Sequence, residues 1–446
     1  MIDLILILLF CLLGVITGIA TGLLPGLHVN NIALILLSLS TTILISLQGL
    51  ASYGITEEFI LVLIAIYILS VAISHSFHDV IPTTFLGAPD EDTALSVLPA
   101  HSLLLEGKGY EAVTISAIGS YGAIFICFLL LFPIRFIIGK PIGFYETLQD
   151  IMLFVLIAIS ILMIATEKGK IKEVHPNGII QSMFGMGFAF LLFIISGIFG
   201  LLALEMYVSS PIGLDSPVLF PALTGLFGLP TLLTSLMTKP VIPKQNIMKT
   251  SYPSEQKTSS TLSIISGSSA GILVSIIPGI TSATGTIIAM TLRGESDSRQ
   301  TIITLSAVNT ACAFFVTIIL FIILKSRSGA TLAIMQLIAV QEWTELVMPT
   351  NLIYLLIALL FAGMLSFFST LYVGKLFASY FVKIPYQPLV AGTITLIVVL
   401  VFLFTGPMGL FILFVATCIG LIPVHWGVRR SHCMGVLLIP IILYFL

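Results

Sequence analysis

Apolar residues run in blocks separated by short polar breaks. The blocks fall near 3–24, 30–48, 58–74, 112–138, 150–166, 178–204, 216–237, 261–292, 301–324, 350–373, 386–404, 407–424 and 434–446. A helix needs about 20 mostly apolar residues to cross a hydrocarbon core. The pattern therefore predicts an all-α polytopic membrane protein with roughly 10–12 transmembrane helices. The segments at 30–48, 80–100 and 216–237 carry internal proline, glycine or polar groups. Such backbone is tolerated at membrane depth only where it is buried in protein or lines a wet cavity. Re-entrant or broken helices are expected among the full spans.

Composition sharpens this. The 446 residues hold 18 Lys+Arg and 20 Asp+Glu, which is 9% charged, and 58% are hydrophobic. An average soluble domain is roughly 25% charged. So few charges cannot cover a water-facing surface, which excludes a soluble enzyme, a disordered chain and a nucleic-acid binder. The net charge of −2 names no partner. Cys11, Cys127, Cys312, Cys418 and Cys433 are scattered, with no CxxC pair, so neither a disulfide framework nor a thiolate metal site is suggested. The N-terminal apolar run lacks a basic leader and a small-residue cleavage site, and reads as the first membrane segment.

The chain is internally repeated. Around Pro25 it reads GVITGIATGLLPGLHVNNIA, and around Pro278 it reads GSSAGILVSIIPGITSATGT. At an offset of 253, Gly14 matches Gly267, Gly18 matches Gly271, Gly22 matches Ser275, Pro25 matches Pro278 and Gly26 matches Gly279. Small residues at every fourth position give a helix face that another backbone can approach closely. Pro-Gly then ends the helix, because proline lacks a donor and glycine admits unusual dihedrals. Either feature alone reads as helix packing or a loop. Together, in both halves, they point to a broken-helix binding site between two repeats. The repeats, 1–237 and 261–446, are predicted as inverted halves. The Lys/Pro-rich stretch 238–260 between them carries Lys239, Lys244, Lys249 and Lys257 and is expected on the cytoplasmic side.

A second polar concentration, HSFHDVIPTTFLGAPDEDTALSVLPAHSLLLEGKGYE, runs from His75 to Glu111. Three readings stand. It is a helical hairpin dipping into the membrane with its tip at Gly87-Ala88-Pro89, whose acids carry a coupling cation. Or His75, His78 and Asp79 hold a metal, since His-x-x-His shares a helix face. Or Asp90, Glu91 and Asp92 form a solvated loop. Elsewhere, Trp343 with Glu342 and Glu345 reads as an interfacial belt, and His425, Trp426, Arg429, Arg430 and His432 as a cytoplasmic anchor.

With these motifs in view, the chain resembles the large membrane subunit of tripartite tricarboxylate transporters, the TctA-like family. The resemblance is carried by GIATGLLPGLHVNNIALILL, by the hairpin with Gly107, Lys108, Glu111, Ala112 and then Ile118-Gly119-Ser120, and by SGSSAGILVSIIPGITSATGT. It implies a cation-coupled permease for small carboxylates, assisted in bacterial members by a small membrane subunit and a periplasmic binding protein. The chain departs from the family at Asp90-Glu91-Asp92, and at SAVNTAC, where Ser306 replaces an acid, Asn309 remains and Thr310 replaces a second asparagine. The Pro-Gly repeats are also similar, locally, to polyprenyl-phosphate transporters; Arg293, Lys325 and Arg327 are the cations such a cargo would use.

The expected function is a secondary-active permease of the cytoplasmic membrane, not an enzyme, moving a small organic anion by alternating access. The substrate-binding candidates are Pro25, Gly26, His28, Asn30, Asn31, Pro278, Gly279, Thr281, Ser282, Thr284 and Asn309. The ion-coupling candidates are His78, Asp79, Asp90, Glu91 and Asp92. No cofactor is implied beyond a coupling ion, H+ or Na+. Membrane lipids are the expected surroundings and nucleic acid is excluded; a homodimer, a small subunit and an extracytoplasmic binding protein are left open. The alternatives are a lipid-linked phosphate flippase and an intramembrane metalloenzyme.

Overall fold

The computed structural model describes residues 2–24, 29–87, 95, 97–167, 178–213, 218–238, 243–247, 254–278, 280–294, 297–344, 346–380 and 386–446. Its helices are α1 (Ile2–Gly22), α2 (Val29–Leu47), α3 (Glu57–His78), α4 (Val80–Leu86), α5 (Val97–Leu105), α6 (Gly109–Ile138), α7 (Phe144–Asp150), α8 (Met152–Ala165) and α9 (Gly178–Ala203). They continue as α10 (Leu219–Leu223), α11 (Leu229–Thr238), α12 (Ser254–Ile276), α13 (Ser282–Arg293), α14 (Ser298–Ile323), α15 (Gly329–Leu337), α16 (Thr350–Tyr380), α17 (Tyr386–Trp426) and α18 (Gly435–Tyr444).

Among the described residues, nine helices are long and apolar enough to cross a membrane, and ten if α7 and α8, bent by 74°, make one broken span. Two of these need physical reading. At 41 residues α17 is twice the length a span requires. It breaks at Gly406, whose φ of 64° lies in the left-handed region, just before Pro407. The backbone carbonyl of Ser209 sits 2.6 Å from where a side chain at Gly406 would start, so glycine is needed for space as well as for φ. The other is α12, along which α13 folds back to make a hairpin. Gly285 of α13 lies against Val274 of α12, and Arg293 Nη1, at the end of α13, donates to Ser263 Oγ at 2.7 Å. Pro278, which cannot continue a helix, is at the tip.

The small-residue stripes do what their spacing predicts, identically in both halves. A Cβ at Gly14 would lie 2.7 Å from the carbonyl oxygen of Tyr67, at Gly18 2.7 Å from that of Val71, and at Gly22 2.8 Å from that of His75. In the second half, a Cβ at Gly267 would lie 2.7 Å from the carbonyl oxygen of Thr304, and at Gly271 2.7 Å from that of Val308. Thus α1 packs in parallel on α3, and α12 in parallel on α14, with every partner offset by 237 residues (Tyr67 against Thr304, Val71 against Val308). The same offset carries Leu86, the end of α4, onto Ile323, the end of α14. It also carries Gly87 onto Leu324, which share left-handed φ values of 66° and 53°.

Contacts along neighbouring helices fix the relative direction of the halves. α3 and α16 run together, with Phe59 on Tyr354 near one end and His78 Nε2 on Ser369 Oγ and Thr370 Oγ1 near the other. α16 opposes α6, since Tyr121 stacks on Phe367 while Gly374 meets Val113. α6 and α14 run together, from the Glu111–Arg299 ion pair at 2.7 Å through Ser116–Ser306 to Phe128–Phe314. The α1–α3 pair therefore runs against the α12–α14 pair, which is the inverted arrangement expected from the sequence.

The stretch between the halves is tied to one end of this frame. Gln245 Oε1 accepts from the Gly109 amide at 2.8 Å, and the Asn246 amide donates to the Gly107 carbonyl at 2.7 Å. That end, with the starts of α6, α12 and α14, is called the linker end below. At the far end, Arg135 donates to the backbone carbonyls of Trp343, Thr344 and Lys140. Trp343 is only 2% exposed and packs on Phe132. This corrects the interfacial reading of that tryptophan: its ring closes the core over α6 instead of facing lipid.

Candidate functional site

The second hairpin stops short of the far end. Its register on α14 sets Pro278 level with Phe315, eight residues or about 12 Å before that helix finishes. The space beyond the tip is a cavity of about 340 Å³. Asn30 at the start of α2 lines it, together with Pro278, Thr281, Ser282, Asn309, Arg327 and Ser328. Asn30 from the first half and Pro278 from the second thus line one cavity, with α3 and α14 as its apolar walls.

Each polar group here has a local cause. Thr281 caps α13, its hydroxyl accepting from the Thr284 amide. Ser282 Oγ donates to Asn309 Oδ1 at 3.3 Å, joining the hairpin tip to α14. Across the halves, the Gly329 amide donates to Asn30 Oδ1 at 2.8 Å. Gly329 opens α15 after a capping box between Ser328 and Thr331. Arg327 reaches the cavity from the turn before that helix. Its Nη2 donates to Tyr145 Oη at 2.7 Å, and its guanidinium lies 5.6 Å from the Tyr145 ring. Its Nε is buried and makes no hydrogen bond. A donor left bare in a low-dielectric setting costs free energy that an anionic ligand would recover.

Of the sequence candidates, Asn30, Pro278, Thr281, Ser282 and Asn309 meet at this cavity. Thr284 does not; its side chain is buried within the hairpin packing. Pro25, Gly26, His28, Gly279, Asp90, Glu91 and Asp92 lie outside the described residues, as does the side chain of Asn31. His78 and Asp79 are buried at the end of α3 and are not among the cavity's lining residues. His78 is engaged within the protein: Nδ1 with the Ser74 carbonyl at 2.7 Å, and Nε2 with Ser369 and Thr370. His75 Nδ1 faces Thr21 Oγ1 at 3.2 Å. Among the described residues, no three His, Cys, Asp or Glu side chains are grouped to hold a metal.

Arg327 and Ser328 are the contribution that sequence reading undervalued, having given Arg327 only to a lipid-phosphate cargo. The signal lies in the repeat. The 237-residue offset sets Asp90, Glu91 and Asp92 of the first half against Arg327, Ser328 and Gly329 of the second.

Arg429 and Arg430 also differ from the anchor expected of them. Glu167 Oε2, buried at the end of α8, accepts from the Arg429 amide and Nε at 3.0 Å and faces His432 Nε2 at 2.8 Å. Arg430 Nη1 donates to Thr231 Oγ1 of α11.

A frame of long apolar helices, with an arginine-bearing cavity lined by Asn30 of the first half and Pro278 of the second, defines a multi-pass membrane protein. The family model for the tripartite tricarboxylate transporter TctA family matches residues 8–435, and the chain belongs to that family. Its members are membrane components of transporters for tricarboxylates that work with other tripartite components. The chain is also similar to an uncharacterised protein of Methanocaldococcus jannaschii, MJ1079, at 28% identity over 98% of this chain and 99% of the relative. No solved structure matches it.

Proposed function

We propose that this protein is a secondary-active permease of the cytoplasmic membrane that moves a small carboxylate anion by alternating access. The observation that carries this reading is Arg327, placed at a cavity lined by Asn30 of the first half and Pro278 of the second, with its Nε donor unspent. Arginine presents a planar fork of donors that matches a carboxylate. Ser282, Asn309 and Asn30 supply neutral groups around it, and the apolar walls strengthen each polar contact by excluding water. Inverted halves supply the two-state element: exchanging their conformations opens the site to the opposite side. The acids Asp90, Glu91 and Asp92 stand, by sequence register, where the other half carries Arg327, and they are the proposed carriers of the coupling proton or sodium ion.

The test is uptake of radiolabelled citrate into proteoliposomes under an imposed sodium or pH gradient. A hydrogen bond to a charged group contributes about 1.5–3 kcal/mol, so Arg327→Gln should weaken citrate half-saturation by roughly 10- to 100-fold. Arg327→Lys should recover part of the loss. Undiminished uptake by Arg327→Gln would refute the assignment. Transport of a polyprenyl phosphate in place of citrate would move the cargo to the lipid-linked class.

A further inference from the structure

A second cavity, of about 390 Å³, lies on the linker-end side of the same hairpin tip, lined by Thr231, Ala283, Arg429, Arg430, Ser431 and Met434 among others. Thr281 and Ser282 border the first cavity and Ala283 borders the second, so the first turn of α13 is the wall between them. That wall is latched by Thr281 Oγ1 on Met434 Sδ at 3.8 Å.

The second cavity carries one unbalanced positive charge among the described residues. Its carboxylate, Glu167, already accepts from the Arg429 side chain and backbone and faces His432. Arg430 is left over. Its hydrogen bonds run from Nη1 alone, to Thr231 Oγ1 and to the Phe227 carbonyl. No carboxylate pairs with it among the described residues, and Nε and Nη2 keep their donors. Beside it, Ser431 is 7% exposed and its Oγ is buried without a hydrogen-bond partner. An open guanidinium fork and an orphaned hydroxyl at one cavity wall are the donor set of an anion site.

We infer that Arg430 and Ser431 form a second carboxylate station on the transport path. The substrate would pass from Arg327 to Arg430 when the Thr281–Ala283 turn moves. This rests on the proposed carboxylate transport and adds a site to it.

The experiment is equilibrium binding of radiolabelled citrate to the full chain in nanodiscs, read as stoichiometry and affinity. The wild type should bind two citrates per chain, and Arg327→Gln and Arg430→Gln one each. Ser431→Ala removes an unpartnered hydroxyl, so it should leave thermal stability unchanged or raised. It should weaken one of the two binding events by about fivefold, the worth of one hydrogen bond. Arg430→Lys distinguishes loss of charge from loss of fold, and should keep the melting temperature and part of the second binding event. A wild-type stoichiometry of one, abolished by Arg327→Gln and untouched by Arg430→Gln and Ser431→Ala, would overturn the second station while leaving the transport reading intact. No citrate binding at all would overturn both.

Discussion

The contact between Asn30 and Gly329 is where the two halves meet at the rim of the cavity, and Gly329→Ala tests it. A Cβ at Gly329 would stand 2.7 Å from the Asn30 carbonyl oxygen, 2.9 Å from its Cα and 3.0 Å from its Cβ. All three are backbone or stem atoms that cannot rotate away, so α2 and α15 must separate by about 0.7 Å to reach ordinary contact distance. Overpacking of this kind costs about 1–3 kcal/mol. The separation also lengthens the 2.8 Å hydrogen bond from the Gly329 amide to Asn30 Oδ1, with a net loss of about 1 kcal/mol. Against this, alanine gains up to about 1 kcal/mol over glycine as the first residue of a helix. The balance is about 2 kcal/mol against the apposition, or roughly 30-fold in the population of any conformation that requires it. Citrate uptake should fall by about that factor if the conformation seen here is a transport intermediate, and the melting temperature in detergent should drop by a few degrees. Gly392, inside α17 with no neighbouring atom within 4 Å of its added Cβ, is the control: Gly392→Ala should leave uptake unchanged and the melting temperature unchanged or slightly raised. Wild-type uptake and melting in Gly329→Ala would mean that the halves do not close on each other here.

Equivalent changes in the two parallel seams should have equivalent costs. Gly18→Leu and Gly271→Leu each drive a side chain into a backbone carbonyl 2.7 Å away, so both should lose several kcal/mol and show up as loss of monodisperse protein in size-exclusion chromatography; tolerance of either would contradict the packing. His78→Ala should cost about 2–4 kcal/mol through the unsatisfied partners it leaves behind. Because both His78 ring nitrogens are engaged within the protein and the residue does not line the cavity, the surviving protein should keep the wild-type ratio of cation to citrate, measured by paired isotope fluxes. A changed ratio would return the histidine to the coupling machinery.

Much of the frame was legible in the chain because membrane physics leaves it few choices. Apolar block length gave the spans, and the break between the blocks at 386–404 and 407–424 falls at Gly406. The Gly14/Gly267 repeat foretold a close backbone approach in each half, since only a small residue admits a backbone at 2.7 Å, but not the partner helix or its parallel direction. Burial of the charged and aromatic residues outside the breaks was not legible. Trp343 and Arg429 sit next to polar residues in sequence, as interfacial groups do, yet the fold closes over one and pairs the other with a glutamate 262 positions away. Pairings at that separation depend on which helices neighbour each other, which no local period encodes. Arg327 was undervalued for a related reason: its first-half mate, Asp90, lies at an offset of 237 rather than 253, because the connection before α14 is 16 residues shorter than its counterpart in the first half. A single-offset comparison therefore misses it.

That change of offset bears on how a symmetric frame performs a directional task. The backbone of each half repeats, down to the left-handed cap shared by Gly87 and Leu324, but the chemistry after the cap does not. The clamp between Asn30 and Gly329 has Ala283 and Asp92 at its equivalent positions. Alanine has no side-chain acceptor, so the same hydrogen bond cannot be made in the other half. One rim is held by a neutral clamp beside an arginine, whereas the other is assigned, by register, three acids. If the two conformations of the carrier were related by perfect exchange of the halves, their free energies would match and neither side would be favoured. Opposite charge at equivalent positions removes that degeneracy. On the proposed function, a carboxylate substrate would favour the conformation that presents Arg327 and a coupling cation the one that presents the acids, which is differential affinity for two states, the condition a ligand must meet to shift them.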